Sequence, residues 1–168
     1  GFNARTSSPH LWALTLKARR KGGAIVAVVD PRKSEMASSA DIWLSPRPGS
    51  DVALAYGVSR YLIEHGYVDL SFVEEWCYGY DLFEKEVMAW TPSRVEEVTG
   101  LRWGSIEALG EAYGRNRPSA TMVGIGLQKS LCGAEAVRAI TLIPALLCHH
   151  RGFYFANSRG WGLDIPYL

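Results

Sequence analysis

The sequence is poor in closely spaced thiols. Its three cysteines, Cys77, Cys132 and Cys148, stand far apart, and no C-x-x-C occurs. Structural zinc and iron–sulfur centres need thiolates near enough to surround one atom or cluster. Neither is encoded in this stretch, and a disulfide framework is not supported. A buried free thiol is the commoner role for each of the three. No apolar run approaches the ~20 residues of a membrane span, so the chain is expected to be soluble, with no membrane insertion. A net charge of +1, from 18 basic and 17 acidic residues, gives no reason to expect nucleic acid. There is no initiator methionine and no charged-then-apolar leader, so Gly1 reads as the start of a piece of something longer. Nothing distinguishes a cytoplasmic from a periplasmic setting. A local Ser/His/Asp or Cys/His set is also missing, so no residue is a catalytic candidate. His149 and His150 are adjacent, diverge in any regular structure and have no third ligand at metal-site spacing. They read as surface or loop histidines.

What is present is a foldable domain of 168 residues, 48% hydrophobic, with six Trp and eight Tyr. That length suits one α/β domain rather than two. The most informative run is 24–51. Six apolar residues, rich in β-branched side chains, end abruptly at Asp30-Pro31-Arg32 and read as a fully buried strand. A short helical turn over 34–40 and a second short strand over 42–44 follow, the latter barred from extension by Pro46 and Pro48. Pro48-Gly49-Ser50-Asp51 then opens a helical pattern running to Gly66. In open α/β sheets ligands lie beyond the carboxyl ends of the strands. Asp30 and Asp51 both fall there, as two polar hands of a nucleotide site.

Either side of this run the pattern alternates helix and strand. Ser8-Pro9 opens a helix that Arg19, Arg20 and Lys21 close ahead of Gly22-Gly23. A helix feeding a buried strand is half of a parallel crossover, whose first strand would lie before Gly1. Residues 69–116 carry no strand signal and read as a helical insertion. Asp69 and Thr91 serve there as helix caps, and Asp81 to Glu84 have capping-box spacing. The aromatics Trp76, Tyr80, Phe83, Trp90, Trp103 and Tyr113 read as core anchors. Residues 120–123 return to strand and run into Gly124-Ile125-Gly126-Leu127-Gln128, where two glycines let a ligand approach the backbone. An apolar helix over 133–148 with Pro144 as a kink follows, and 149–168 read as an irregular exit segment. The domain is thus 1–148.

Each acid also has an ordinary role. Asp30 can be a strand-end turn residue, Asp-Pro being a good turn initiator. Asp51 can be a first-turn acid on a helix, which position alone favours. Seven bases against three acids over 17–47 suit a phosphate-bearing ligand, although a solvated helix end explains Lys17 to Lys21. Ten acids against three bases over 69–111 read as a solvated face.

With these residues in view, the chain resembles the molybdopterin-guanine-dinucleotide oxidoreductases of the dimethyl sulfoxide reductase and formate dehydrogenase family, nearly end to end. Gly1, Asn3, Thr6 and Pro9-His10 are similar to that family's opening Gly-x-Asn segment. Val28-Val29-Asp30-Pro31-Arg32 matches its strand followed by Asp-Pro-Arg. Ala40-Asp41-Ile42-Trp43-Leu44, then Pro48-Gly49-Ser50-Asp51-Val52-Ala53-Leu54, matches A-D-x-W-L-x-x-x-P-G-(T/S)-D-x-A-L. Thr91-Pro92, Val98-Thr99-Gly100 and Gly124-Ile125-Gly126 with Gln128 follow in the same order. Many relatives have Gly-Asn where His149-His150 stand here. The resemblance implies an α/β, three-layer αβα fold, with a mostly parallel dinucleotide-binding-like sheet and a helical insertion. It also implies an internal domain that holds the guanosine end of one molybdopterin guanine dinucleotide. Asp30, Pro31 and Arg32 would meet the ribose and base region and Asp51 the guanine, whose N1 and exocyclic amine are donors suited to an acceptor-only carboxylate. Pro48, Gly49 and Ser50 would bring backbone to the ligand. Gly1, Asn3, Thr6, Gly124, Gly126 and Gln128 would line the pyrophosphate and pterin side. Molybdenum or tungsten, an iron–sulfur cluster and the metal-ligating residue would sit in other domains of the parent enzyme, with an electron-transfer subunit as a further partner. Alone, the chain would be catalytically silent. Two other classes stay open. One is a stand-alone nucleotide-binding module, such as the middle domain of thiamine-diphosphate enzymes; the other is a structural domain with a decayed site.

Overall fold

The computed structural model describes residues 3–149 and 152–155. A single helical turn, α1 (Ala4–Ser7), leads into α2 (Pro9–Gly22), which starts on Pro9 and ends on Gly23 at φ 64° behind Arg19, Arg20 and Lys21. Helix α2 has no buried residue, and Leu14 is 61% exposed. Arg19 ties it to the rest, donating to the Ser39 carbonyl at 2.7 Å and pairing with Asp41.

Strand β1 (Ala27–Val29) is shorter than the apolar run of the sequence and is not fully buried. Val26 and Val28 are buried against Ala37, whereas Ile25 and Ala27 are exposed. Alternate residues face opposite sides, and the second side is covered only at the strand's end, where Val29 meets the main core. Helix α3 (Glu35–Ser38) is capped by Ser34, whose hydroxyl oxygen accepts from Ala37 N at 3.2 Å. Strand β2 (Ile42–Leu44) pairs parallel with β1, Ala27 opposite Ile42 and Val29 opposite Leu44.

Helix α4 (Asp51–Glu64) is the most buried element. Ala53, Leu54, Ala55, Val58 and Leu62 are all 5% exposed or less. Around it lie α6 (Tyr80–Met88), α7 (Pro92–Thr99) and α8 (Trp103–Arg115), with α5 (Leu70–Trp76) beside the later helix α9 (Gly133–Leu146). Asp69 caps α5 and Thr91 caps α7 as their sequences predict. The capping box at Asp81 does not form. Gly79, at φ 78°, starts α6 at Tyr80, which places Asp81 inside the first turn. Of the anchors expected in this insertion, Trp76 is 71% exposed, because it ends a seven-residue helix that buries only Val73.

Strand β3 (Thr121–Val123), a 3₁₀ turn (Leu127–Lys129), α9 (Gly133–Leu146) and β4 (Phe153–Phe155) complete the described chain. Strands β3 and β4 pair in parallel, Thr121 opposite Phe153. Residues 153–155 are therefore a strand and not part of an irregular exit. The rest of the segment beyond them lies outside the described residues. The fold is α/β with only parallel pairs among the described residues, in two two-stranded sheets where one continuous sheet was expected.

Helices α4 and α8 approach closely because α8 presents glycines. A Cβ on Gly110 would lie 2.5 Å from the Tyr61 ring, and one on Gly114 would lie 2.6 Å from the Tyr67 ring. The two phenols converge on Glu111, Tyr61 at 2.5 Å and Tyr67 at 3.1 Å. The hydrogen bond to Glu111, then burial and the Glu111 charge, push the Tyr61 phenol from 10.0 up to about 12. Between those values the folded state holds a proton that the unfolded state has lost, so stability falls as pH rises through the window. The melting temperature of wild type is expected to drop more steeply there than that of Tyr61→Phe. Parallel curves would show that the phenol is not coupled to folding.

Candidate functional site

The sequence-predicted residues from Asp30 onward cluster at three turns, each following a parallel strand. After β1, Asp30 N donates to Leu44 O at 3.0 Å, and the half-buried Asp30 carboxylate accepts from Arg32 N at 2.8 Å through Oδ1. This turn is bound to the end of β2: Trp43 Nε1 donates to Asp30 O and Ser45 Oγ to Pro31 O, both at 3.0 Å. Pro31 and the Arg32 side chain stay exposed.

After β2 the chain turns through Arg47-Pro48-Gly49-Ser50. Arg47 anchors the turn, its N–H donating to Thr99 O at 2.9 Å and its guanidinium to Glu97 O, with the side chain lying over Gly100. Gly49 sits at φ 85°, a backbone region that non-glycine residues avoid, and its would-be Cβ position is open. Buried Ser50 is at the N-cap position of α4, yet its hydroxyl donates back to Arg47 O at 2.6 Å and does not cap the helix. The first-turn N–H groups of α4 therefore receive no side-chain cap. Asp51, the first residue of α4, is half-buried.

After β3, Gly124 and Gly126 flank a turn in which Leu127 N donates to Gly124 O and Lys129 N to Gly126 O. Gly126 has open space around its Cα, and Gln128 is exposed. At the amino end, Asn3 accepts from Thr6 N and Ser7 N through its carbonyl, while its side-chain Oδ1 is buried with no hydrogen-bond partner. Thr6 is exposed on α1, which packs on α3 and is joined to it by the Arg5–Glu35 pair at 2.9 Å. Gly1 and His150 lie outside the described residues. His149 is half-buried; its Nδ1 is 2.8 Å from Ser119 Oγ, and burial, aided by Arg117, lowers its pKa.

A cleft of about 230 Å³ brings two of these loops together. Gly49, Asp51 and Val52 form one side, and Ser130, Leu131, Cys132 and Ala136 the other. Asp30 and Arg32 do not line it. Sequence reasoning missed residues 130–132, and it placed Cys132 in the core, whereas the thiol is exposed. The available signal was Gly133: a Cβ there would meet the Gln128 carbonyl at 2.5 Å, so the 3₁₀ turn packs directly on the start of α9. No group of three or more His, Cys, Asp or Glu side chains able to hold a metal occurs among the described residues.

The molybdopterin oxidoreductase family model matches residues 1–156. The chain belongs to that family. This separates it from the thiamine-diphosphate alternative. Over 146 residues this molybdopterin oxidoreductase chain is 32% identical to formate dehydrogenase H of Escherichia coli, covering 87% of the chain and 20% of the relative. It is 32% identical over 151 residues to acetylene hydratase of Syntrophotalea acetylenica, covering 87% and 20%. The solved acetylene hydratase from Pelobacter acetylenicus superposes with a TM-score of 0.78 at 29% identity, over 84% of this chain and 19% of that one. The chain thus spans about a fifth of the length of these relatives. Their names denote different reactions, so no substrate carries over. No described helix is long and apolar enough to cross a membrane.

Proposed function

We propose that this chain holds the guanosine part of one molybdopterin guanine dinucleotide within a longer molybdenum or tungsten oxidoreductase. The observation that carries the reading is the turn after β2. An open Gly49 at φ 85° and an α4 amino terminus without a side-chain cap stand beside the Asp51 carboxylate, in a cleft whose other walls include Val52, Leu131 and Ala136. Small-ligand sites are mostly apolar with a few placed polar groups, and an acceptor-only carboxylate suits guanine, whose N1 and exocyclic amine both donate. The buried Asn3 Oδ1 lacks a donor, which the N–H groups of a pterin would supply, a second point of fit on the pyrophosphate and pterin side assigned to Asn3, Thr6, Gly124, Gly126 and Gln128. Asp30 and Arg32 take the ribose region from the end of β1, with Asp30 Oδ1 already committed to the turn.

The same proposal covers the wider architecture: a three-layer, dinucleotide-binding-like domain over 1–148, with residues 69–116 inserted. The burial of Val28 against α3 and of Leu44 in the core around α4 supports it, since a helix then packs on part of each face of the first strand pair. When bound, the cofactor supplies metal-centred redox chemistry. The metal ligand, an iron–sulfur cluster and contacts to an electron-transfer subunit belong to other parts of the parent, and the isolated chain is inactive.

Calorimetric titration with GDP and ADP tests the site. GDP is expected to bind at least ten-fold more tightly, a difference of about 1.4 kcal/mol. Absence of GDP binding, or equal affinity for the two, would overturn the assignment of the cleft to guanine.

A further inference from the structure

Resting on that reading, we infer that Ser130–Cys132, just before α9, is the second wall of the base pocket, with Leu131 covering the base and Cys132 lying against it. The cleft is lined by two loops far apart in sequence, the turn at Gly49 to Val52 and the residues between the 3₁₀ turn and α9. Its single carboxylate, Asp51, repels phosphate, so the part of a nucleotide that enters is the uncharged heterocycle. A volume of about 230 Å³ is sufficient to admit one planar base. Val52 and Ala136 are small enough to face the ring without blocking it. Leu131 is 102% exposed, an apolar side chain left wholly in water at the cleft's edge. Bases held away from other bases are read along one edge and sandwiched by apolar or aromatic side chains on their faces. Leu131 is the free apolar group in place to do this. The segment is not free to drift, because Gly133 packs against the backbone of Gln128 and Ser130 Oγ donates to Leu127 O at 2.8 Å.

Cys132 supplies the test. Exposed Cys132 is expected to react with iodoacetamide, a neutral reagent, while the half-buried Cys77 and Cys148 serve as internal references. Saturating GDP is expected to slow alkylation of Cys132 at least ten-fold without changing the rates at Cys77 and Cys148. ADP is expected to have no effect, and GDP none on Asp51→Ala. Leu131→Asp, which removes no buried packing and adds a second negative charge at the cleft, should weaken GDP binding at least ten-fold with the melting temperature unchanged. If calorimetry shows GDP binding and Cys132 reacts at its unliganded rate, the wall assignment falls and the guanine site stands elsewhere. Equal slowing of all three cysteines also overturns it, as does unaltered GDP affinity in Leu131→Asp. No GDP binding to wild type removes the parent reading and this one together.

Discussion

Asp51→Ala is expected to weaken GDP binding by roughly 100- to 10,000-fold, the loss of two hydrogen bonds to a charged acceptor at ~1.5–3 kcal/mol each. The melting temperature should hardly move. Asp51 occupies the first turn of α4, where an acid contributes ~0.3–1 kcal/mol through the helix dipole, and none of its own side-chain hydrogen bonds supports the turn, which is held by Ser50, Arg47 and Thr99. Asp51→Asn sharpens the result. The carboxamide retains one acceptor but sets a donor against a guanine donor, so affinity for GDP falls although shape and volume are kept. For xanthosine diphosphate, whose base carries a carbonyl where guanine has its amine, the same substitution replaces a clash with a match, and affinity rises. A site that recognised its ligand only through phosphate would show neither change and would bind better once the negative charge was gone.

The parts of this chain that were legible beforehand are those decided within a few residues. Strand β2 ends at Leu44 because Pro46 and Pro48 follow. The caps at Asp69 and Thr91, and the helix ends at Gly23 and Gly100, rest on local side-chain and backbone geometry. The positions of Asp30 and Asp51 were legible because each directly follows a strand or opens a helix. What escaped depends on distant partners. Residues 153–155 become a strand only by pairing with Thr121–Val123, which no short-range pattern announces. Exposure of Ile25 and Ala27 is set by which face of β1 a helix covers, and apolar character alone does not reveal that. The Ser130–Cys132 wall exists because α9 packs on α4, bringing the start of one helix to the start of the other. The family resemblance carried the order of motifs but named no residue between Gln128 and His149, where the missed wall lies.

Leu62→Ala is expected to be the most destabilising single change considered, costing ~2–5 kcal/mol in urea unfolding. Leu62 is 0% exposed and belongs to the cluster that joins α4 to β2, α7, α8 and α9 through Leu44, Val95, Ile106 and Ile143. Truncation removes apolar contact on several sides at once, and the helices around it cannot all close on the gap. The Gly110–Tyr61 contact already sets the spacing of α4 and α8, and Gly114 packs on Tyr67 just beyond α4, so collapse from that side is blocked. Against a typical domain stability of ~5–15 kcal/mol, such a loss leaves a large part of the margin gone. Leu62 nevertheless lies eleven residues from Asp51 on the same helix, ~16 Å along its axis at 1.5 Å per residue. The folded fraction of Leu62→Ala should therefore bind GDP with unchanged affinity, the mirror image of Asp51→Ala, which loses affinity and keeps its stability. Should Leu62→Ala lose both, α4 transmits core packing to its amino terminus, and the cleft depends on the helix as a whole rather than on the anchored turn at Arg47 to Ser50.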